Sequence, residues 1–172
     1  YRINAAQAKL LLAVNDSFVT EQIKDLLQKC DSLRHILIAG DSAADGFKYF
    51  NGEFIKHEPY SERPEAANSD EMVIYFTSGT SGMPKMAIHN RTYPLGHIVT
   101  AKYMQCVQNN GLHITQADSG WAKFGWGNIY GQWICGSAVL AYDPLRFNAA
   151  HFLETTEKYK PTSMCIPPTM YR

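Results

Sequence analysis

The sequence lacks most features that mark a specialised class of protein. Its four cysteines are spread over 172 residues without a Cys-x-x-Cys pair, which argues against a zinc site and against the disulfide framework of a small secreted domain. Sixteen basic residues balance sixteen acidic ones, so no excess positive charge favours a nucleic acid or an anionic membrane as partner. The apolar run Leu10–Val14 is too short for a membrane span or a signal peptide.

What the sequence does contain is the composition of an ordinary globular protein. Hydrophobic residues make up 45% of the chain and charged residues 19%, which suits one domain with a buried core. The chain starts at Tyr1 without a methionine and stops shortly after an apolar run. We therefore expect it to be a piece of a longer protein.

Strand-like and helix-like patterns alternate along the chain. Strands are expected over 10–14, 35–40, 71–76, 112–117, 138–143 and 162–166. Helices are expected over 20–30, 92–107, 124–135 and 148–159, and the polar segment 51–69 is expected to be a surface loop. Asn148 is the expected N-cap of the last helix. This alternation predicts an α/β fold with mainly parallel strands.

The stretch YFTSGTSGMPK, residues 75–85, follows a predicted strand directly. Gly79 and Gly82 permit positive φ angles, so that successive backbone N–H groups can face one anion. Lys85 adds a positive charge, and four residues add hydroxyl groups: Thr77, Ser78, Thr80 and Ser81. Phosphate is the anion that these donors suit best, whereas the alternative from composition alone is a flexible linker.

Two other phosphate-binding motifs are excluded by their spacing. The P-loop pattern G-x-x-x-x-G-K-[ST] fails because Met83 and Pro84 separate Gly82 from the lysine, and because Met86 replaces the hydroxyl residue. The segment GWGNIYG, residues 125–131, has one residue too many for the dinucleotide pattern G-x-G-x-x-G.

Residues 76–85 resemble the phosphate loop of the AMP-forming adenylating enzymes, which include acyl-CoA synthetases, luciferases and peptide-synthetase adenylation domains. The family pattern [YF]-T-S-G-[ST]-[ST]-G-x-P-K is matched at every position. Met86, in place of the usual glycine, and the segment DGFKYF, residues 45–50, resemble the medium-chain acyl-CoA synthetase group. Residues 117–139 and CIPPTMYR, residues 165–172, are similar to acyl- and acetyl-CoA synthetases. The resemblance covers essentially the whole chain.

The resemblance implies that residues 1–172 are part of an N-terminal AMP-binding domain whose C-terminal domain lies outside the chain. The implied activity joins a carboxylic acid to coenzyme A at the expense of ATP, with Mg2+, through an acyl-adenylate and pyrophosphate. The implied alternatives are an adenylating enzyme that loads a carrier protein and a non-catalytic nucleotide-binding module. Because the family's adenine, ribose and C-terminal lysine residues lie outside the chain, we expect the piece alone to be inactive.

The resemblance also implies roles for particular residues. ATP would be bound by Thr77, Ser78, Gly79, Thr80, Ser81, Gly82, Met83, Pro84 and Lys85. Of these, Lys85 and Thr80 are the expected catalytic residues. The acyl group would contact Trp121, Gly125 and Trp126, and no metal ligands are expected in the chain. A bulky Trp126 between two glycines would shorten the acyl tunnel, which favours a short, medium-length or flat aromatic acid.

We expect the remaining aromatic, histidine and charged residues to have structural positions and no part in binding or catalysis. Tyr130 and Trp133, one helical turn apart, are expected in the core. Asp118 is expected to form a turn and Lys123 to be solvated. Surface or boundary positions are expected for His35, His57, His97, His113 and His151. We expect a role in fatty acid metabolism in the cytoplasm, and the mitochondrial matrix is equally compatible with the sequence.

Overall fold

The computed structural model describes residues 1–62, 64–79, 82–144 and 146–171. It divides into two compact units, one of Tyr1–Ala66 with Ile74–Ala87 and the other of Ala67–Val73 with Ile88–Arg172. Each unit contains a three-stranded parallel sheet with helices. The predicted α/β class with mainly parallel strands is therefore confirmed. Within the described residues, no helix combines the length and the apolar character needed to cross a membrane.

The first unit is built on a sheet with the strand order β1-β2-β3. The strands are β1 (Leu10–Val14), β2 (His35–Ala39) and β3 (Lys48–Tyr49). The helices are α1 (Arg2–Ala5), α2 (Ser17–Ile23), α3 (Leu26–Lys29) and α4 (Phe50–Phe54). Strands β1 and β2 pair in register from Leu10 with His35 to Val14 with Ala39.

The core of the first unit is formed by side chains that pack against β2. Ile36 and Ile38 alternate with less buried neighbours along this strand, and they pack with three residues from the helical side: Ile23, Cys30 and Leu33. Asp16 starts α2, since its carboxylate accepts hydrogen bonds from the N–H groups of Phe18 at 2.9 Å and Val19 at 3.0 Å.

Two expectations for the first unit need correction. The single helix expected over 20–30 is divided, because Asp25 adopts a non-helical backbone (φ −100°, ψ 7°) between α2 and α3. The segment expected as a loop from 51 begins inside α4, which continues to Phe54. The rest of that segment has no helix or strand where it is described, and Arg63 lies outside the described residues.

Strands β4 (Glu71–Thr77) and β5 (Lys85–Asn90) pair with each other and contribute residues to both units. At one end of the pair, the N–H of Arg91 donates to the carbonyl of Asp70 at 3.0 Å. At the other end, the Thr77 hydroxyl donates to the carbonyl of Lys85 at 3.5 Å. These contacts show that the strands run antiparallel and that the loop 78–84 joins their adjacent ends.

The second unit is built on a sheet with the order β7-β6-β8. The strands are β6 (Leu112–Thr115), β7 (Ala138–Val139) and β8 (Ser163–Cys165). The helices are α5 (Tyr93–Val99), α6 (Ala122–Gly125), α7 (Gly131–Ile134) and α8 (Ala149–Tyr159), and a short 3-10 turn covers Pro168–Tyr171. The N–H of His151 donates to the Asn148 side chain at 3.1 Å, which confirms the predicted cap of α8. The strand predicted over 138–143 is shorter, since β7 has only two residues.

Two long helices of the second unit each contain a π-helical turn. One turn, Thr100–Met104, continues α5, and the other, Trp126–Tyr130, joins α6 to α7. A π-turn accommodates one extra residue and therefore rotates the buried face of the helix that follows. As a result, Gly131 and Gln132 are buried whereas Trp133 is 63% exposed, so the expected core position of Trp133 is wrong. Tyr130 is half-buried, with its ring 5.6 Å from that of Tyr93.

The sheet of the second unit has a polar interior around His113, which is 0% exposed. Its Nδ1 lies 2.8 Å from the hydroxyl of Ser163 on β8, and its Nε2 lies 2.9 Å from the hydroxyl of Thr115. The surface or boundary position expected for His113 is therefore wrong, because hydroxyl groups on the sheet satisfy the imidazole inside the fold. Burial lowers the pKa of His113, and a hydrogen bond to the Gly127 carbonyl opposes this shift.

We predict that His113 makes the protein less stable at acid pH. Because its folded pKa lies below the unfolded value of about 6.5, its stabilising contribution is complete above that pH and declines as the pH falls below it. Thermal unfolding of the full-length protein, followed between neutral and mildly acid pH, should show a smaller loss of stability in His113→Gln than in the wild type. The control variant is His57→Gln, since His57 is exposed. If His113→Gln and His57→Gln lost the same amount of stability on acidification, the prediction would be contradicted.

Candidate functional site

The loop between β4 and β5 is shaped by two glycines that are needed for different reasons. A Cβ atom at Gly79 would collide with the carbonyl oxygen of Met83, so the loop backbone occupies the space that a side chain at position 79 would need. Gly82 has a φ angle of +96°, a conformation that residues with side chains rarely adopt. The N–H of Gly82 also donates to the carbonyl of Gly79 at 3.4 Å. The loop is therefore a tight turn and not an extended linker.

Lys85 lies beside Gly79 at the start of β5. The Cγ atom of Lys85 lies 3.6 Å from the position that a Cβ at Gly79 would occupy. Lys85 is exposed, and no acidic side chain of the described residues forms an ion pair with it. Since residues 77–85 contain no aspartate or glutamate, the loop presents one uncompensated positive charge to an approaching anion.

The described part of the loop includes most of the predicted ATP-binding residues. Thr77, Ser78, Met83 and Lys85 are exposed, and Pro84 is half-buried, with its carbonyl accepting a hydrogen bond from Tyr1. Thr80 and Ser81 lie outside the described residues. The donor set is therefore described only in part, and the assignment of the loop to ATP remains a prediction.

The second unit has a cavity of about 460 Å³ at the carboxyl ends of β6 and β8. Ligands of parallel α/β sheets bind preferentially at this edge. The cavity is lined by Gln116, Ala117, Asp118, Trp121, Lys123, Phe147, Pro167, Thr169 and Met170. Asp118 and Lys123 are the two charged residues of this lining, so the cavity combines large apolar side chains with one acidic and one basic group.

The structure separates the three predicted acyl-contacting residues. Trp121, 72% exposed, precedes α6 and lines the cavity, whereas Gly125 and Trp126 lie in the helix that follows and are not among the lining residues. Asp118 accepts a hydrogen bond from the N–H of Gly120 at 2.7 Å, in agreement with its expected role in a turn. Lys123 was expected to be solvated but is half-buried in the cavity wall.

Trp126 does not line the cavity, and its side chain packs against a histidine. Its ring stacks on that of His97 with a centroid distance of 5.7 Å and an angle of 13° between the planes. Burial lowers the pKa of His97, and the nearby His89 lowers it further. The buried Nδ1 atom of His97 has no hydrogen-bond partner within the described part of the chain. Trp126 is therefore held against a histidine that is predominantly neutral at neutral pH.

Several residues of the cavity were not predicted from the sequence. Gln116 directly follows β6, and Thr169 and Met170 follow β8. The rule that ligands bind at the carboxyl ends of parallel strands could have identified these positions once the strands had been assigned. Phe147, which precedes α8, carries no comparable signal in the sequence.

Comparison with known proteins identifies the family of the chain. A family model described as AMP-binding enzyme matches residues 1–172. The human acyl-coenzyme A synthetase ACSM4, mitochondrial, is 30% identical in an alignment of 173 positions that covers 100% of this chain and 30% of that protein. The human acyl-coenzyme A synthetase ACSM3, mitochondrial, is 30% identical over 174 residues and is covered to 29%. The chain thus spans about 30% of the length of these relatives.

Solved structures show the same fold. The anthranilate CoA ligase AuaEII, solved with anthranoyl-AMP, superposes with a TM-score of 0.79 at 22% identity, over 94% of this chain and 31% of that one. The Brucella canis acyl-CoA synthetase superposes with a TM-score of 0.77 at 19% identity, over 99% of this chain and 30% of that one. Together with the family match, these findings confirm the resemblance seen in the phosphate loop. The chain belongs to the AMP-binding enzyme family.

Proposed function

We propose that the full-length protein is an ATP-dependent acyl-CoA ligase. In its first step, a carboxylate would attack the α-phosphate of ATP to give an acyl-adenylate and release pyrophosphate. In its second step, the thiol of coenzyme A would attack the acyl-adenylate to give a thioester, AMP and a proton. The tight turn between β4 and β5 is the observation that carries this proposal, because the backbone geometry at Gly79 and Gly82 suits a polyphosphate, as does Lys85, which forms no ion pair with another described residue.

The first step brings two anions together, so positioned donors must offset their repulsion. We assign Lys85 and Thr80 to this task, with Lys85 interacting with the phosphates that leave as pyrophosphate. The residues of 77–85 would hold these phosphates through backbone N–H and hydroxyl groups. No group of three or more His, Cys, Asp or Glu side chains lies together among the described residues. Mg2+ therefore enters the proposal only as the ion that accompanies the ATP phosphates.

The cavity of the second unit supports a small carboxylic acid as the other substrate. Its volume of about 460 Å³ lies within the range of small-molecule sites, and Trp121, Phe147 and Met170 provide apolar contacts. We retain Trp121, Gly125 and Trp126 as the proposed acyl-contacting residues; Trp121 lines this cavity, whereas Gly125 and Trp126 are proposed from the family resemblance. A short, medium-length or flat aromatic acid fits this assignment, which is consistent with a role in fatty acid metabolism.

We infer the acceptor and the location from the names of the relatives. Both human relatives are named acyl-coenzyme A synthetases and mitochondrial, which supports coenzyme A over a carrier protein, and the mitochondrial matrix over the cytoplasm. A pyrophosphate-release assay on the full-length protein distinguishes the acceptors, because turnover should require coenzyme A and should not respond to a carrier protein. The intact loop favours this enzyme over a non-catalytic nucleotide-binding module, which has no need to hold a leaving group.

We predict that Lys85→Ala strongly impairs adenylation. Loss of one positioned donor to a developing charge costs about 10²–10³-fold in rate, so pyrophosphate release by the full-length protein should fall by about that factor. Lys9→Ala is the matched control, since Lys9 is also an exposed lysine of the first unit. Thioester formation that is unchanged in Lys85→Ala would refute the role given to this lysine.

We predict that Gly79→Ala weakens ATP binding. The added methyl group collides with the Met83 carbonyl, so the loop has to open. The control is Gly96→Ala, because a Cβ at Gly96 has no heavy atom within 4 Å. Calorimetry with a non-hydrolysable ATP analogue should show a much weaker affinity for Gly79→Ala alone. Equal affinities in the two variants would show that the shape of the loop is not needed for nucleotide binding.

We predict that Trp126 limits the length of the acid. The wild-type enzyme should have its highest kcat/KM with short, medium-length or aromatic acids, and Trp126→Ala should move the optimum to longer acids. Trp133→Ala is the control, because Trp133 lies on the same helix but is 63% exposed. A wild-type enzyme that prefers long-chain acids would contradict the assignment of Trp126 as a wall of the acyl site.

A further inference from the structure

The carbonyl oxygen of Gly127 is the centre of a buried polar cluster in the second unit. From the helical side, Gln132 Nε2 donates to it at 2.8 Å and Gln105 Nε2 at 3.1 Å. From the sheet, the Thr115 hydroxyl donates at 2.5 Å, and His113 Nε2 lies 3.1 Å away. A carbonyl oxygen has only two lone pairs, so this atom is saturated with donors from both sides.

The two glutamines form a clamp, defined here as Gln105 and Gln132. The Nε2 atom of Gln132 also donates to the side-chain oxygen of Gln105, and it lies 3.4 Å from the carbonyl of Trp126. Gln132 is 0% exposed and Gln105 is 7% exposed. Burial of two amide groups is costly unless they are hydrogen-bonded. The clamp therefore fixes the backbone at two consecutive residues, Trp126 and Gly127.

These two residues begin the π-helical turn Trp126–Tyr130. Directly after this turn, Gly131 at the start of α7 packs closely against α5 and the π-turn that continues it, since a Cβ at Gly131 would meet the carbonyl of His97 and would lie 2.8 Å from the Cβ of Ala101. The clamp and this close approach hold the turn while the ring of Trp126 stacks on His97. π-turns occur frequently at functional sites, and here the turn sets the direction of the tryptophan.

We propose that Gln105 and Gln132 are positioning residues that hold Trp126 in place and thereby set the length of acid that the enzyme accepts. This inference rests on the proposed acyl-CoA ligase function and on Trp126 as a wall of the acyl site, a role that the family resemblance implies; Trp126 lies outside the cavity lined by Trp121. The glutamines do not touch the substrate. Without the clamp, the Trp126 backbone is released and the ring can leave His97, which deepens the acyl site.

The experiment uses Gln132→Met and Gln105→Met in the full-length protein, because methionine keeps the length of the side chain and removes the donor. Gln108→Met is the matched control, since Gln108 is an exposed glutamine of the same unit. Both clamp variants should raise the ratio of kcat/KM for a longer acid over a shorter one by about tenfold, the effect of one or a few methylene groups in a pocket. The KM for ATP should stay within about twofold of the wild type.

A double-mutant cycle separates positioning from general destabilisation. If the clamp acts through Trp126, then adding Gln132→Met to Trp126→Ala should change the acid ratio no further. Hydrogen exchange over residues 122–134, measured by mass spectrometry, should be faster in both clamp variants and unchanged in the control. Additive effects, an equal loss with all acids, or unchanged exchange would overturn the inference.

The same measurements identify a failure of the proposed function separately. A wild-type protein that forms no thioester with any acid would refute the ligase function, whereas the exchange comparison would still decide whether the two glutamines hold the turn. A wild-type ligase whose acid ratio is unaffected by Trp126→Ala would overturn the inference about selectivity and leave the ligase function intact.

Discussion

The close approach of the backbone at Met83 to Gly79 is the constraint on which the candidate nucleotide site depends. A side chain at position 79 would push the loop open, and a side chain at position 82 would resist its φ angle of +96°. Two glycines thus allow the chain to turn tightly between paired strands, where Lys85 starts the second strand. The chemistry proposed for the loop requires such a turn, because a polyphosphate is held best by N–H groups that are already in place before it binds.

The second unit has a polar interior in which side chains of the sheet and the helices share hydrogen bonds. Its sheet and helices meet at one backbone carbonyl, that of Gly127, which accepts hydrogen bonds from a threonine and two glutamines. The donors that converge on this carbonyl restrain one another, although Gln132 Oε1 is buried without a hydrogen-bond partner among the described residues. In the proposed role of the two glutamines, these hydrogen bonds hold the π-turn and thereby orient Trp126.

Much of this structure could be predicted from the sequence, and the failures have identifiable causes. The alternating apolar runs predicted the α/β class, and the loop motif predicted the family. The exposed position of Trp133 could not be predicted from helical spacing, because a π-turn precedes it and no simple sequence pattern signals such a turn. The burial of His113 was missed because its hydroxyl partner on β8, Ser163, is distant in sequence. The roles of the site residues stay predictions, and Thr80 and Ser81 lie outside the described residues.

The central claim is that the loop at 75–85 binds the β- and γ-phosphates of ATP. A crystal structure of the full-length protein with a non-hydrolysable ATP analogue tests it most directly. We expect both phosphates within hydrogen-bond distance of the loop N–H groups and of Lys85 Nζ. Phosphates bound by other residues, with the loop turned away from them, would contradict the account.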